Sequence, residues 1–194
     1  MARAKRGKEI PWLWFFTDPL RTPDPLAIAQ RLPRGAAVVY RAFGAADAET
    51  TAKAFRRITR ARGLRLIIGA DDALAARVKA DGVHLPERLA HRIVRLKRGR
   101  PGWLVSVAAH GRIATGRARQ ADAVVISAVF PSKSPSAGRA LGPLRFAMLA
   151  RTSRAPVVAL GGVNAKNAPR LLGTGAAGLA AIEGLLAADQ NLPA

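Results

Sequence analysis

Residues 156–164, PVVALGGVN, run an apolar segment into paired glycines and then an asparagine suited to capping a helix. Paired glycines let the backbone approach a ligand closely, and a helix start presents unpaired N–H groups, so this pattern can cradle a phosphate. Gly161 and Gly162 are the candidate donors. A second glycine-rich stretch, GTGAAGLAAIEG (173–184), leads to a short predicted helix over 183–188 and adds Gly178 to the candidate phosphate-binding set. The alternative is that all these glycines simply make tight strand-to-helix turns. Three histidines complete the residues able to move protons near neutral pH: His84, His91 and His110. His84 and His110 end apolar segments, where they could donate to a phosphate or shuttle a proton, whereas His91 sits in an arginine-rich helical stretch. A lone histidine in such a place also serves commonly as a structural residue.

These groups need elements to hold them. Short runs rich in Val, Ile and Leu recur at 13–16, 36–40, 64–68, 82–85, 104–108, 123–126, 157–160 and 178–181. Between them lie longer stretches rich in alanine and arginine. Alternation of this kind predicts βα units around a parallel sheet, and eight such units predict a small α/β (β/α)8 TIM barrel. A flavodoxin-like open sheet, with about five strands, is the alternative fold. Helices are predicted over 47–61 and 71–79, each led by an aspartate, and over 165–172 after Asn164. Pro169 falls inside the last of these and marks a late start or a kink. The Ser-, Gly- and Pro-rich segment 132–142 reads as a long loop after the sixth strand, at the end of a barrel where chemistry is placed. The chain divides into a basic leader (1–10, expected to be frayed), a barrel (11–188) and a tail (189–194).

The composition bounds the partners. The chain has 194 residues, enough for one domain, and a formal net charge of +20, which favours anionic partners such as phosphorylated metabolites or nucleic acid. Aromatic residues make up only 5%, too few to interleave with the basic runs as base-stacking platforms, so nucleic acid ranks behind small phosphates. The chain has no cysteine, which excludes disulfides, thiolate catalysis and cysteine-bound zinc. Apolar runs are too short for a spanning helix or a signal-peptide core, and a cytoplasmic location is expected.

Four segments taken in order, LWFFTD (13–18), ADGVHL (80–85), ADAVVISAVFPSKSP (121–135) and PVVALGGVNAKNAPRLLGTGAAGLAAI (156–182), resemble successive motifs of the thiamine-phosphate synthase and thiazole tautomerase family. The resemblance implies the same barrel. It also implies a transferase that joins hydroxymethylpyrimidine diphosphate to thiazole phosphate, with loss of diphosphate, through a pyrimidine cation. Mg2+ and basic side chains are the cofactor and groups that it implies for the leaving group. Position by position, Arg41 stands for the arginine of the second strand end, and Ser132, Lys133 and Ser134 stand in the loop that grips diphosphate. His110 keeps the histidine of the fifth strand end. For magnesium the resemblance leaves Asp71, one step past the family's aspartate, and Glu87, in the stretch after GVHL.

The site departs from the family pattern. Gly69 and Ala70 stand where the family has Asn-Asp, and Leu89 stands at its second metal ligand. Glu183 takes the place of a phosphate-binding serine, and Ala128 that of the tautomerase's acid/base histidine. A carboxylate at 183 competes with a phosphate for the same donors unless it caps its own helix. The alternatives to a synthase-like enzyme are an inactive phosphate-binding or regulatory barrel, a tautomerase-like isomerase, and a nucleic-acid-associated protein.

Overall fold

The computed structural model describes residues 8–132, 134 and 138–185. The strands are β1 (Leu13–Phe16), β2 (Ala37–Tyr40), β3 (Arg65–Gly69), β4 (Gly82–Leu85), β5 (Leu104–Ala109), β6 (Ala123–Ile126), β7 (Val157–Ala159) and β8 (Ala176–Ala181). Every neighbouring pair is parallel, and β8 returns to β1, so the sheet closes as a barrel in sequence order. The helices are α1 (Pro25–Arg31), α2 (Ala48–Arg62), α3 (Asp72–Arg77), α4 (Ile93–Gly99), α5 (Arg112–Arg117) and α6 (Gly142–Thr152). The expected (β/α)8 barrel is therefore observed, and the open-sheet alternative is excluded by the β1–β8 pairing.

Alternation along each strand divides the core in two. Trp14, Phe16, Val39, Ile67, Leu104, Val125 and Val158 fill the barrel interior. Their neighbours Phe15, Val38, Leu66, Ile68, Val105 and Val124 face outward under the helices. A strand buried on both faces reads as a continuous apolar run, which is why the strand positions were legible at all.

At the amino-terminal end of the barrel, aspartates tie adjacent strands together. Asp81, just before β4, accepts the Leu66 N–H at 2.7 Å and pairs with Arg56 at 2.7 Å. Asp122, just before β6, accepts the Val105 N–H at 2.8 Å and pairs with Lys97 at 2.6 Å. The two ADx motifs are thus joints of the scaffold. Lys8, from the predicted leader, reaches the Trp103 carbonyl and Asp122. Residues 1–7 of that leader and the whole 189–194 tail lie outside the described residues.

Two helix expectations change. The predicted 165–172 helix is only a 3-10 turn, Ala168–Leu171. Pro169 has no N–H to give, and the side chains of Asn164 and Asn167 capture the backbone donors that would have started a helix. Residues 183–185 form a 3-10 turn, and the rest of the predicted last helix falls outside the described residues. Among the described residues no helix is long and apolar enough to cross a membrane.

Candidate active site at the barrel mouth

The carboxyl ends of the strands surround a cavity of about 1570 Å³. Arg41, Asp71, His110, Ser132 and Ser134 all line it, as do Gly161 and Gly162. Five strand ends of the sequence reading thus meet in one space, where barrels place their chemistry. Lys133 lies outside the described residues.

The β7 end is built by close packing. A Cβ on Gly161 would lie 2.7 Å from Ala128 Cα, and one on Gly162 would lie 2.2 Å from the Pro131 carbonyl oxygen. Both glycines have positive φ, +96° and +64°. Their carbonyls are held: Gly161 O accepts from Phe130 N at 2.9 Å, and Gly162 O accepts from Asn167 Nδ2 at 2.8 Å. Among the described residues no protein acceptor takes the N–H of Gly161 or Gly162. The glycines therefore satisfy packing on one side and leave two amides to the cavity on the other. The helix-start donors expected beyond them are not available. Asn167 Oδ1 takes the Asn164 N–H at 2.9 Å, and Asn164 Oδ1 takes the Lys166 N–H at 3.0 Å.

Gly178 corrects the sequence reading. It lies within β8 opposite Val158, away from the mouth, and a Cβ there would meet the Pro11 carbonyl oxygen at 2.8 Å. It is glycine because the segment entering β1 passes too close for a side chain, so it belongs to the packing of the barrel and not to a phosphate site.

Arg41 is largely committed inward. Its Nε donates to the Thr17 carbonyl at 2.7 Å and its Nη2 to Asp18 Oδ2 at 3.2 Å. Its guanidinium lies 5.0 Å from the Phe43 ring centroid and 5.8 Å from that of Phe16. Burial lowers its pKa from the ordinary arginine value, Asp18 opposes that shift, and Arg21 adds to it. Among the described residues no acceptor takes Nη1, and Arg41 lines the cavity. Ser132 Oγ accepts the Ser134 N–H at 3.3 Å, which folds this part of the loop over the cavity.

The two carboxylates assigned to magnesium do not come together. Asp71 caps α3 through Oδ1, which accepts the Leu74 N–H at 2.8 Å. Glu87 is absent from the cavity lining; its Oε2 binds the His110 N–H at 3.0 Å and His110 Nδ1 at 2.8 Å. That contact orients the His110 ring with Nδ1 toward the carboxylate. Among the described residues no cluster of three or more His, Cys, Asp or Glu could hold a metal ion. The donor set does not fit a two-carboxylate magnesium site.

Three further features shape the site, of which the sequence reading singles out only His84. Arg21, after β1, grips Glu183, after β8, through Nε–Oε1 at 2.9 Å and Nη2–Oε2 at 3.0 Å. The hydrogen bond to Glu183 raises the Arg21 pKa, against the effect of burial. The pair is neutral overall, which removes most of the repulsion that a bare carboxylate would exert on an incoming phosphate. Secondly, His84 is buried in the cavity wall, its Nδ1 3.0 Å from Ser106 Oγ and its ring edge-on to Phe16 at 5.0 Å. Burial, with a contribution from Arg41, pushes its pKa down to about 3. Thirdly, Phe43, exposed at 65%, stands on the rim at φ 49°. Barrel closure brings the first pair together from opposite ends of the chain, and no local pattern marks it.

The profile of the family described as thiamine monophosphate synthase matches residues 16–185. The chain belongs to that family. Thiamine-phosphate synthase of Thioalkalivibrio sulfidiphilus is 34% identical over 194 residues, with 93% of this chain and 90% of that protein covered. A putative thiamine-phosphate synthase of Geobacter sulfurreducens is 37% identical over 139 residues, 70% of this chain and 65% of that protein. Thiamine phosphate pyrophosphorylase of Pyrococcus furiosus superposes with a TM-score of 0.76 at 25% identity, covering 89% of this chain and 85% of that one. Within the thiamine-phosphate synthase family, then, this member has a closed barrel, two β7-end amides with no protein acceptor among the described residues, and an Arg–Glu pair at the β8 end.

Proposed function

We propose that the chain joins hydroxymethylpyrimidine diphosphate to thiazole phosphate, giving thiamine phosphate and diphosphate. The observation that carries this reading is the pair of unengaged amides, Gly161 and Gly162, opening on the mouth of a barrel of this family. These two N–H groups would hold the thiazole phosphate. Arg41 Nη1 and the hydroxyls of Ser132 and Ser134, with Lys133, would hold the diphosphate.

In the reaction the C–O bond of the pyrimidine methylene breaks and both electrons leave with the diphosphate. The thiazole nitrogen then gives its lone pair to the methylene cation, forming the C–N bond. Charge grows on the leaving group as the bond opens, and the preorganised Arg41 cation acts on that growing charge. His84, kept neutral by burial, adds no positive charge beside the organic cation. A magnesium ion accompanying the diphosphate is part of the family expectation; Asp71 Oδ2 is the carboxylate oxygen left to meet it, and no step is assigned to it. A cytoplasmic setting goes with this reading.

The test is to incubate the purified chain with both precursors and magnesium and to quantify thiamine phosphate by fluorescence after oxidation. Product is expected, with a loss of about tenfold or more in kcat/KM for Ser132→Ala and for Lys133→Ala, the scale of one lost charge-assisted contact. Absence of product from a folded chain that still binds thiazole phosphate would overturn the transferase reading in favour of a phosphate-binding barrel.

A further inference from the structure

Beside the mouth, between the 3-10 turn Glu87–Arg92 and α5, runs a second groove of about 1090 Å³. Arg88, Arg117, Arg119 and His91 line it, over a floor that includes Ala90 and Ala114. Among the described residues none gives Arg88, Arg117 or Arg119 a hydrogen bond, a carboxylate or an aromatic face. The one carboxylate of the lining, Glu87, is already held by His110. Three arginines outside the groove are paired with carboxylates: Arg56 with Asp81, Arg77 with Glu49, and Arg92 with Asp72. Three guanidinium groups left uncompensated around one concave surface repel each other, and an anion in their midst relieves that repulsion.

We propose that this groove is a second oxyanion site, which takes a small phosphate-type anion, inorganic diphosphate or an organic phosphate, next to the barrel mouth. Arg88 and His110 line both spaces, so the groove is continuous with the mouth. Guanidinium groups suit the ligand because their N–H forks match two phosphate oxygens at once. A small ligand is favoured over nucleic acid because no Phe, Tyr or Trp lines the groove to stack a base. The site stands independently of whether the mouth performs the transfer.

The experiment is a titration of the full chain with inorganic diphosphate at low ionic strength, followed by amide NMR. Gly116, in the groove, reports on this site; Gly161 and Gly162 report on the mouth. The amide of Gly116 is expected to shift with saturation. In an Arg117→Gln/Arg119→Gln double variant, which changes no residue lining the mouth, affinity at Gly116 should fall about tenfold while thermal unfolding stays that of the wild type. A Gly116 amide that does not move, or that moves equally in the double variant, would overturn the proposal. So would a single-stranded oligonucleotide that binds the groove more tightly per phosphate than diphosphate does. Silence at Gly161 and Gly162 with a response at Gly116 would instead count against the transferase reading alone.

Discussion

Replacing Gly162 by alanine tests packing and binding at one position. The new methyl would sit 2.2 Å from the Pro131 carbonyl oxygen and 2.9 Å from Phe130 Cβ, both on the loop after β6. Neither neighbour is the free end of a flexible side chain, so backbone must move. The φ of +64° adds a left-handed penalty of about 1 to 2 kcal/mol for alanine. Forcing a methyl into a closed space costs about 1 to 3 kcal/mol more. Gly162→Ala should therefore lose about 2 to 5 kcal/mol in a urea unfolding experiment. Gly99→Ala, at the end of α4 with open space around it, should change stability by less than about 1 kcal/mol. Phosphate affinity, measured by calorimetry at a temperature where the variant is folded, should drop about tenfold as the amide is displaced. An unchanged unfolding free energy would refute the close approach. A destabilised variant with wild-type phosphate affinity would refute the amide as a ligand donor.

Two further outcomes follow from buried charge. His84 has a folded pKa of about 3 against an ordinary 6.5, so the unfolded chain binds its proton first as pH falls. Its contribution is fully present above pH 6.5 and is lost progressively between 6.5 and 3, with an upper bound of about 5 kcal/mol at the acid end. Chemical denaturation across that range should show this slope, and His84→Gln should flatten it; an identical slope in the variant would reject a neutral buried imidazole. Asp122→Ala removes the acceptor of the Val105 N–H and the partner of Lys97 at the far end of the barrel. It should cost about 2 to 3 kcal/mol in unfolding while phosphate titration at the mouth stays unchanged, and a shift at the mouth would show that the two ends are coupled.

Sequence alone determined the architecture and the location of the mouth. Strands buried on both faces must be continuous apolar runs, and the runs recur often enough to fill a closed barrel. The paired glycines at 161 and 162 were legible because strained φ and close approach leave no other residue type. The same reasoning misassigned Gly178, since a glycine forced by a neighbouring backbone and one opening to a ligand look alike in a chain of letters. Only the tertiary structure decided which groups meet. Arg21 and Glu183 are 162 residues apart and face each other because β8 closes on β1. Glu87 turned to His110 and away from Asp71, and the Arg88, Arg117 and Arg119 side chains gathered around one groove. Burial, which fixes the charge of His84, likewise depends on what the closed sheet wraps around it. Periodicity is a property of neighbours along the chain, whereas distance, desolvation and charge pairing belong to neighbours in space.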